Sequence, residues 1–344
     1  MVIVTDVIWK SKTKKGVETI HKGFYMDGYL AENLAPIPKF LTKGWDCVGI
    51  VSGHGKVRTG KSVMGCQIGY YVAWMLAGGE MDLRRDKETG KFIDPVVIKS
   101  PDKPLNYSLN NLVFSPQELM DKGSTLPPHS VIVYDEGRSG LDSKSAMTSL
   151  NKMLEDFFQE CGVYGHVIII ILPNFFKLHE DYAVSRSIFL VDVYHDENWN
   201  RGFFNFYNEI QKERLFFFGR KKVGITARYN SAYPSFYGKF RNWFPFDKDK
   251  YDLMKKFALK QKASQKRNVK IKEQRDALIH MYKTDMDQTI AGVAERMTEV
   301  LGKNVGRDVV NDGLKEYRKY LERKRELEEL EEELSEEENE EEEE

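Results

Sequence analysis

Eight consecutive residues could do chemistry together: Gly55-Lys56-Val57-Arg58-Thr59-Gly60-Lys61-Ser62. The pattern G-x-x-x-x-G-K-S suits a loop that wraps a phosphate chain. Gly55 and Gly60 admit positive φ and let the backbone approach a ligand closely. The loop's N–H groups then form an anion nest at the positive end of the following helix, which begins around Lys61-Ser62-Val63. Lys61 would reach the outer phosphates as a point charge, and the Ser62 hydroxyl would be a ligand for Mg²⁺. A second constellation lies about 70 residues on, where Val131-Ile132-Val133-Tyr134 runs into Asp135-Glu136. Asp135 at the end of such a strand would hold the Mg²⁺ shell, and Glu136 would polarise an attacking water as general base. The chemistry these residues imply is hydrolysis of a nucleoside triphosphate, with ATP and Mg²⁺ as the bound species.

Three further residues are weaker candidates. Asn174 follows the strand Val167–Leu172 and Pro173, where a polar side chain could sense the terminal phosphate or simply cap the next helix. Arg186, in Ser185-Arg186-Ser187, could stabilise transition-state charge on a neighbouring subunit's nucleotide. Arg138, two residues beyond Glu136, is the other candidate for that role.

The surroundings must supply a strand into the loop, a helix out of it and a sheet edge for the acidic pair. Cys47–Ser52 is a short apolar strand, and Ser62 to about Leu76 is a long apolar helix. Apolar strands alternating with helical stretches over 46–240 predict a P-loop NTPase core, an α/β domain with a mostly parallel sheet flanked by helices. Within it, 96–99, 112–115, 130–136, 167–172 and 187–194 read as strands. The aromatic runs Phe203–Tyr207 and Arg214–Phe218 read as antiparallel strands extending one edge. Residues 1–45 read as a strand pair around Lys14-Lys15-Gly16, a short helix and a proline turn, a leader packed on the core.

This order of motifs resembles the HerA–FtsK superfamily of DNA-pumping ATPases, within the additional-strand, catalytic-glutamate division of P-loop NTPases. The resemblance covers about 45–220, and is nearest to its zonula-occludens-toxin-like and viral packaging members. It implies a motor that acts on DNA as a homo-oligomeric ring. Asn174 stands where many members carry Gln, and no arginine lies between Glu160 and His166, ahead of the Ile-rich strand. A guanine-nucleotide switch is disfavoured: Lys250-Tyr251-Asp252 and Lys283-Thr284-Asp285 lack the Asn or Thr and the strand that a base-reading motif needs. A P-loop kinase would need a lid with paired arginines, and none stands out.

The charge is segregated. Of 53 acidic residues against 52 basic ones, fourteen are glutamates in 326–344, which leaves the rest at about +13. Such a body suits a polyanionic partner. Residues 241–272 read as a basic linker or bridging helix. Residues 273–323 read as a small all-α, helix-turn-helix-like domain whose last helix offers Arg307, Asn311 and Lys315 to DNA. Its apolar faces are expected at Ala277, Leu278 and Met281, then Ile290, Val293, Ala294 and Met297, then Val310, Leu314, Tyr317 and Leu321. Residues 324–344 are expected to be a disordered acidic tail. The alternative to a motor is a DNA-binding regulator or adaptor that uses ATP as a switch with little turnover.

Cys47, Cys66 and Cys161 lack paired spacing and are expected as reduced core thiols of a cytoplasmic protein. The apolar run Val63–Gly79 is interrupted by Gln67 and four glycines, so it reads as a buried helix and not a membrane span.

Overall fold

A computed structural model describes residues 2–12, 18–53, 58–90, 92–93, 96–135, 155–157, 162–220, 229–265, 276, 278–281, 283, 288–301 and 304–343. The chain divides into two compact units, Met1–Lys248 and Asp249–Glu344.

The first unit opens with the antiparallel pair β1 (Val2–Lys12) and β2 (Glu18–Tyr25). Helices α1 (Gly28–Leu34) and α2 (Ile37–Thr42) follow. Asp27 caps α1 by accepting from the N–H groups of Tyr29 and Leu30. Pro36 and Pro38, expected in a turn, instead open α2, where a missing N–H costs nothing. Strand β3 (Cys47–Ser52) then feeds helix α3 (Lys61–Leu76).

Two short strands, β4 (Glu80–Asp82) and β5 (Val96–Lys99), pair with each other in a separate sheet. This corrects the expectation that 96–99 belongs to the main sheet; Ile98 in β5 is 65% exposed, so the run is apolar without being core. The main sheet continues with β6 (Leu112–Val113), helix α4 (Pro116–Thr125), β7 (Val131–Asp135), β8 (Val167–Ile171), β9 (Ser187–Tyr194) and β10 (Phe203–Tyr207). Helix α5 (Glu209–Gly219) and β11 (Phe236–Lys239) complete it.

The seven strands run in the order β11-β10-β9-β3-β8-β7-β6. Those from β9 to β6 are mutually parallel, and β10 and β11 add antiparallel at one edge. Strands β3, β7 and β8 are buried throughout, as near-continuous Val/Ile runs in a sheet covered on both faces must be.

Residues 214–218, expected as an edge strand, lie in α5. Lys212, Leu215, Phe216 and Gly219 are its buried residues, a spacing of three and four that belongs to a helix, while Phe217 and Phe218 are exposed. Asn208 starts this helix by accepting from Gln211 N–H, and the antiparallel place falls to 236–239.

Helix α3 is buried on every side over 64–74. Gly65 and Gly69 let it lie close on the sheet: a Cβ at Gly65 would be 2.5 Å from Ile171 Cδ1, and one at Gly69 3.0 Å from Val133 Cγ2. Its outer side is covered by Phe24, whose ring is 5.1 Å from that of Tyr70, and by Trp243, 5.6 Å from Tyr70. Gln67 Nε2 donates to the Arg241 and Trp243 carbonyls at 2.7 Å, so the polar residue that interrupts the apolar run ties down the segment after β11. No helix among the described residues is long and apolar enough to cross a membrane.

The second unit contains α6 (Lys248–Gln265), α7 (Ile290–Leu301) and α8 (Arg307–Glu343). Ile279, Val293, Ala294, Val310 and Leu314 form its core, with Ile290 and Met297 against it. The faces expected for the last two helices are thus largely present. Ahead of them the phase differs: Ile279 is buried, whereas Leu278 and Met281 are 53% and 38% exposed. The acidic run expected to be a disordered tail continues α8 to Glu343. Glutamate is a good helix former, and Lys324 pairs with Glu328 one turn on.

Candidate functional site

The glycine loop joins β3 to α3 at the C-terminal edge of the sheet. Gly55, Lys56 and Val57 lie outside the described residues. Of the rest, Arg58 has φ 58° and Gly60 φ 101°, so two left-handed residues flank the buried Thr59. Asp27, Ser115 and Asn208 cap α1, α4 and α5 with side-chain oxygens. Helix α3 starts on Gly60, which has no side chain to cap it. Its first N–H groups, those of Lys61, Ser62 and Val63, belong to the end of a helix that carries positive partial charge.

The Lys61 side chain folds back over the loop. Its Nζ lies 3.4 Å from Thr59 Oγ1, and a Cβ placed on Gly53 would lie 3.1 Å from the same Nζ. Gly53 therefore leaves the room that the lysine uses.

Asp135 ends β7 and is 2% exposed. Register places it relative to the loop. Asp135 pairs with Ile171, and Ile171 with Val51, so the carboxylate stands on the row of Val51, two strands or about 10 Å away. Helix α3 runs back over this face, with Gly69 above Val133 and Gly65 above Ile171. One turn further toward its N-terminus, Lys61 and Ser62 reach the level of the sheet edge where Asp135 stands. A hydroxyl and a carboxylate are hard oxygen donors of the kind that Mg²⁺ takes. Glu136 and Arg138 lie outside the described residues.

Two other candidates are placed differently. Asn174 Oδ1 accepts from Phe176 N–H at 3.0 Å and so caps a short helical turn at 175–177. Arg186 precedes β9, and its Nη1 is 3.9 Å from Asp46 Oδ2, just ahead of β3. Since β3 and β9 are parallel, this is the N-terminal edge of the sheet, opposite the loop. Half exposed there, Arg186 is outside its own chain's loop region. In the second unit Arg307 and Lys315 are exposed and Asn311 is half-buried, one turn apart along α8.

A buried hydroxyl network under the loop was not legible beforehand. Ser52, the last residue of β3, has its Oγ 3.3 Å from Asp192 Oδ1 and 3.3 Å from the Tyr229 hydroxyl. That hydroxyl also accepts from Phe175 N–H at 2.8 Å, and Tyr207 donates to the Tyr229 carbonyl at 3.1 Å. Burial, with Asp192 close by, pushes the Tyr229 hydroxyl well above its ordinary pKa, so it stays protonated. The sequence signal was a lone carboxylate inside Phe189-Leu190-Val191-Asp192-Val193. The network ties loop entry to the segment beyond β8.

Lys212 is fully buried. Its Nζ donates to the Val184 carbonyl at 2.9 Å, to Ser187 Oγ at 2.7 Å and to the Ser187 carbonyl. Burial lowers its pKa to about 8. Cys47 and Cys66 are buried and not joined in a disulfide.

Fold and site together define an α/β domain with a mostly parallel seven-stranded sheet, a helix that starts on a glycine and a buried aspartate that ends a strand at the same sheet edge. No family model, curated protein or solved structure matches the chain.

Proposed function

We propose that the chain is a P-loop ATPase that hydrolyses Mg-ATP and works on DNA as an oligomeric motor of the translocating or packaging kind. The observation that carries the reading is that α3 begins with Lys61 and Ser62, after β3, at the same edge of the sheet where Asp135 ends β7. Strand β8 lies between β3 and β7, which is the separation expected of the additional-strand, catalytic-glutamate division.

In this reading the N–H groups at the start of α3 and the Lys61 ammonium bind and orient the phosphate chain. Ser62 and Asp135 would hold Mg²⁺, which when bound neutralises charge on the phosphate oxygens. Glu136 follows Asp135 directly and would accept the proton of the attacking water. Arg186 can serve only a nucleotide on a neighbouring copy, because it occupies the opposite edge of its own sheet. That assignment requires an oligomer. Arg307, Asn311 and Lys315 on α8 would contact DNA, in a domain that packs three helical segments on one small core.

ATP turnover measured with and without duplex DNA, beside native mass, tests the reading. DNA stimulation by an oligomer supports a motor. ATP binding without turnover, with Glu136→Gln indistinguishable from wild type in DNA binding, would favour the regulator or adaptor that uses ATP as a switch.

A further inference from the structure

The outer strands β9, β10 and β11 carry partly exposed aromatic side chains on one face. Tyr194, Phe203 and Lys239 form one row across the three strands, and Asp192, Asn205 and Tyr237 the next. Alternation along each strand directs both rows to the same face. On it the rings of Tyr194 and Phe203 stack at 5.8 Å and 26°. Lys239 Nζ lies 5.3 Å from the centroid of Phe203, and Tyr237 is 76% exposed.

The turn between β9 and β10 adds a second stacked pair. Trp199 lies against His195, centroids 4.3 Å apart and planes 19° apart, and is 75% exposed. Its φ of 61° is the left-handed conformation that a bulky residue avoids. A dense local network holds it there: Asp196 accepts from Asn200 N–H at 2.7 Å and from Asn200 Nδ2 at 2.8 Å, and Trp199 N–H donates to the Asp196 carbonyl at 3.0 Å. A strained, exposed tryptophan fixed by its own turn points to use.

We propose that this strip is a stacking platform for single-stranded nucleic acid, with Trp199, Tyr237 and the Tyr194–Phe203 pair receiving bases and Lys239 meeting a phosphate. Flat π-faces beside a cation are what such a strand needs, and every base offers a face to stack. The occupant follows from that pairing and from the basic balance of the chain outside its glutamate run. The strip is also wired to the glycine loop. Phe240 N–H donates to the Gly202 carbonyl at 2.8 Å, and its ring reaches within 2.9 Å of where a Cβ on Gly60 would stand. Phe240 directly follows Lys239, so the strip and the residue that starts α3 are neighbours through one residue. This inference rests on the nucleic-acid half of the proposed function and not on ATP hydrolysis.

The test is fluorescence polarisation of a labelled oligothymidylate titrated with the full chain, wild type beside Trp199→Ala, Trp199→Phe, Tyr237→Ala and Lys239→Gln. Each alanine variant should weaken binding about tenfold or more, and Trp199→Phe should retain most of the affinity. Lys239→Gln should flatten the salt dependence by about one phosphate contact. Wild type binding the oligomer while both alanine variants bind equally well would remove the platform and leave DNA binding to α8. Wild type binding neither single strand nor duplex would remove the nucleic-acid half of the function as well. Loss of native mass in Trp199→Ala, with oligomer binding kept, would make the strip a subunit contact and overturn the proposal.

Discussion

The Lys61 ammonium is held over Gly53, 3.4 Å from the Thr59 hydroxyl, at the point where β3 gives way to α3. A methyl group on Gly53 would enter that space, 2.7 Å from Thr59 Oγ1 and 3.0 Å from Lys61 Cδ. The Lys61 stem is flexible and can swing aside, whereas Thr59 is buried and stiff, and its hydroxyl must give way. Gly53→Ala is therefore expected to fold with a modestly lowered Tm while ATP affinity falls about tenfold, about 1.4 kcal/mol of binding. Calorimetric titration with Mg-ATP, alongside a thermal melt, checks both halves.

Gly65 makes a contrasting case. Its added Cβ would strike Ile171 Cδ1 at 2.5 Å, inside a packed core between α3 and β8. Gly65→Ala should cost about 1–3 kcal/mol through overpacking, offset in part by better helix propensity. Urea unfolding should show a lowered midpoint; an unchanged or raised midpoint would mean that α3 stands further from the sheet.

Tyr229 joins the end of β3 to the segment after β8 through one oxygen. Tyr229→Phe keeps the ring packing against Phe176 but leaves the buried Phe175 N–H without its acceptor. A loss of about 1–3 kcal/mol is expected, read by chemical denaturation. A variant as stable as wild type would show that the hydroxyl network does not hold the two segments.

Lys212 makes stability depend on pH on the alkaline side. Unfolded, its ammonium keeps its proton up to the ordinary value of 10.5; folded, only up to about 8. Between those values the unfolded chain binds more protons, so this group's contribution rises with pH and is lost as pH falls through about 8. Unfolding free energies of wild type and Lys212→Met, compared across that window, should diverge in favour of wild type as pH rises. Parallel curves would contradict it.

Much of the first unit was legible because its information is local. Cys47–Ser52, Val131–Asp135 and Val167–Ile171 are short apolar runs that end in turn or acidic residues, and each is a fully buried parallel strand. The loop pattern placed the helix start at Ser62, one residue from the Lys61 at which it begins. What failed was the choice of period where aromatics cluster: Leu215-Phe216-Phe217-Phe218 suits either a strand or a helix until the burial of Lys212 and Gly219 selects the helix. Partners far apart in sequence were not legible at all. Asp192 meets Ser52 across 140 residues, and Gln67 meets Trp243 across 176, and no local pattern announces either. Arg186 was rightly placed before a strand, yet only the parallel pairing of β3 with β9 reveals that this end of the sheet faces away from the loop.

The central claim is tested most directly by Mg-ATP turnover of the purified chain measured beside Lys61→Ala and Asp135→Asn. The account predicts steady phosphate release by wild type and its loss by about a hundredfold or more in both variants, since each removes a charge that faces the phosphates or their metal. Wild type that neither binds nor cleaves ATP with magnesium, or either variant turning over at the wild-type rate, would contradict it.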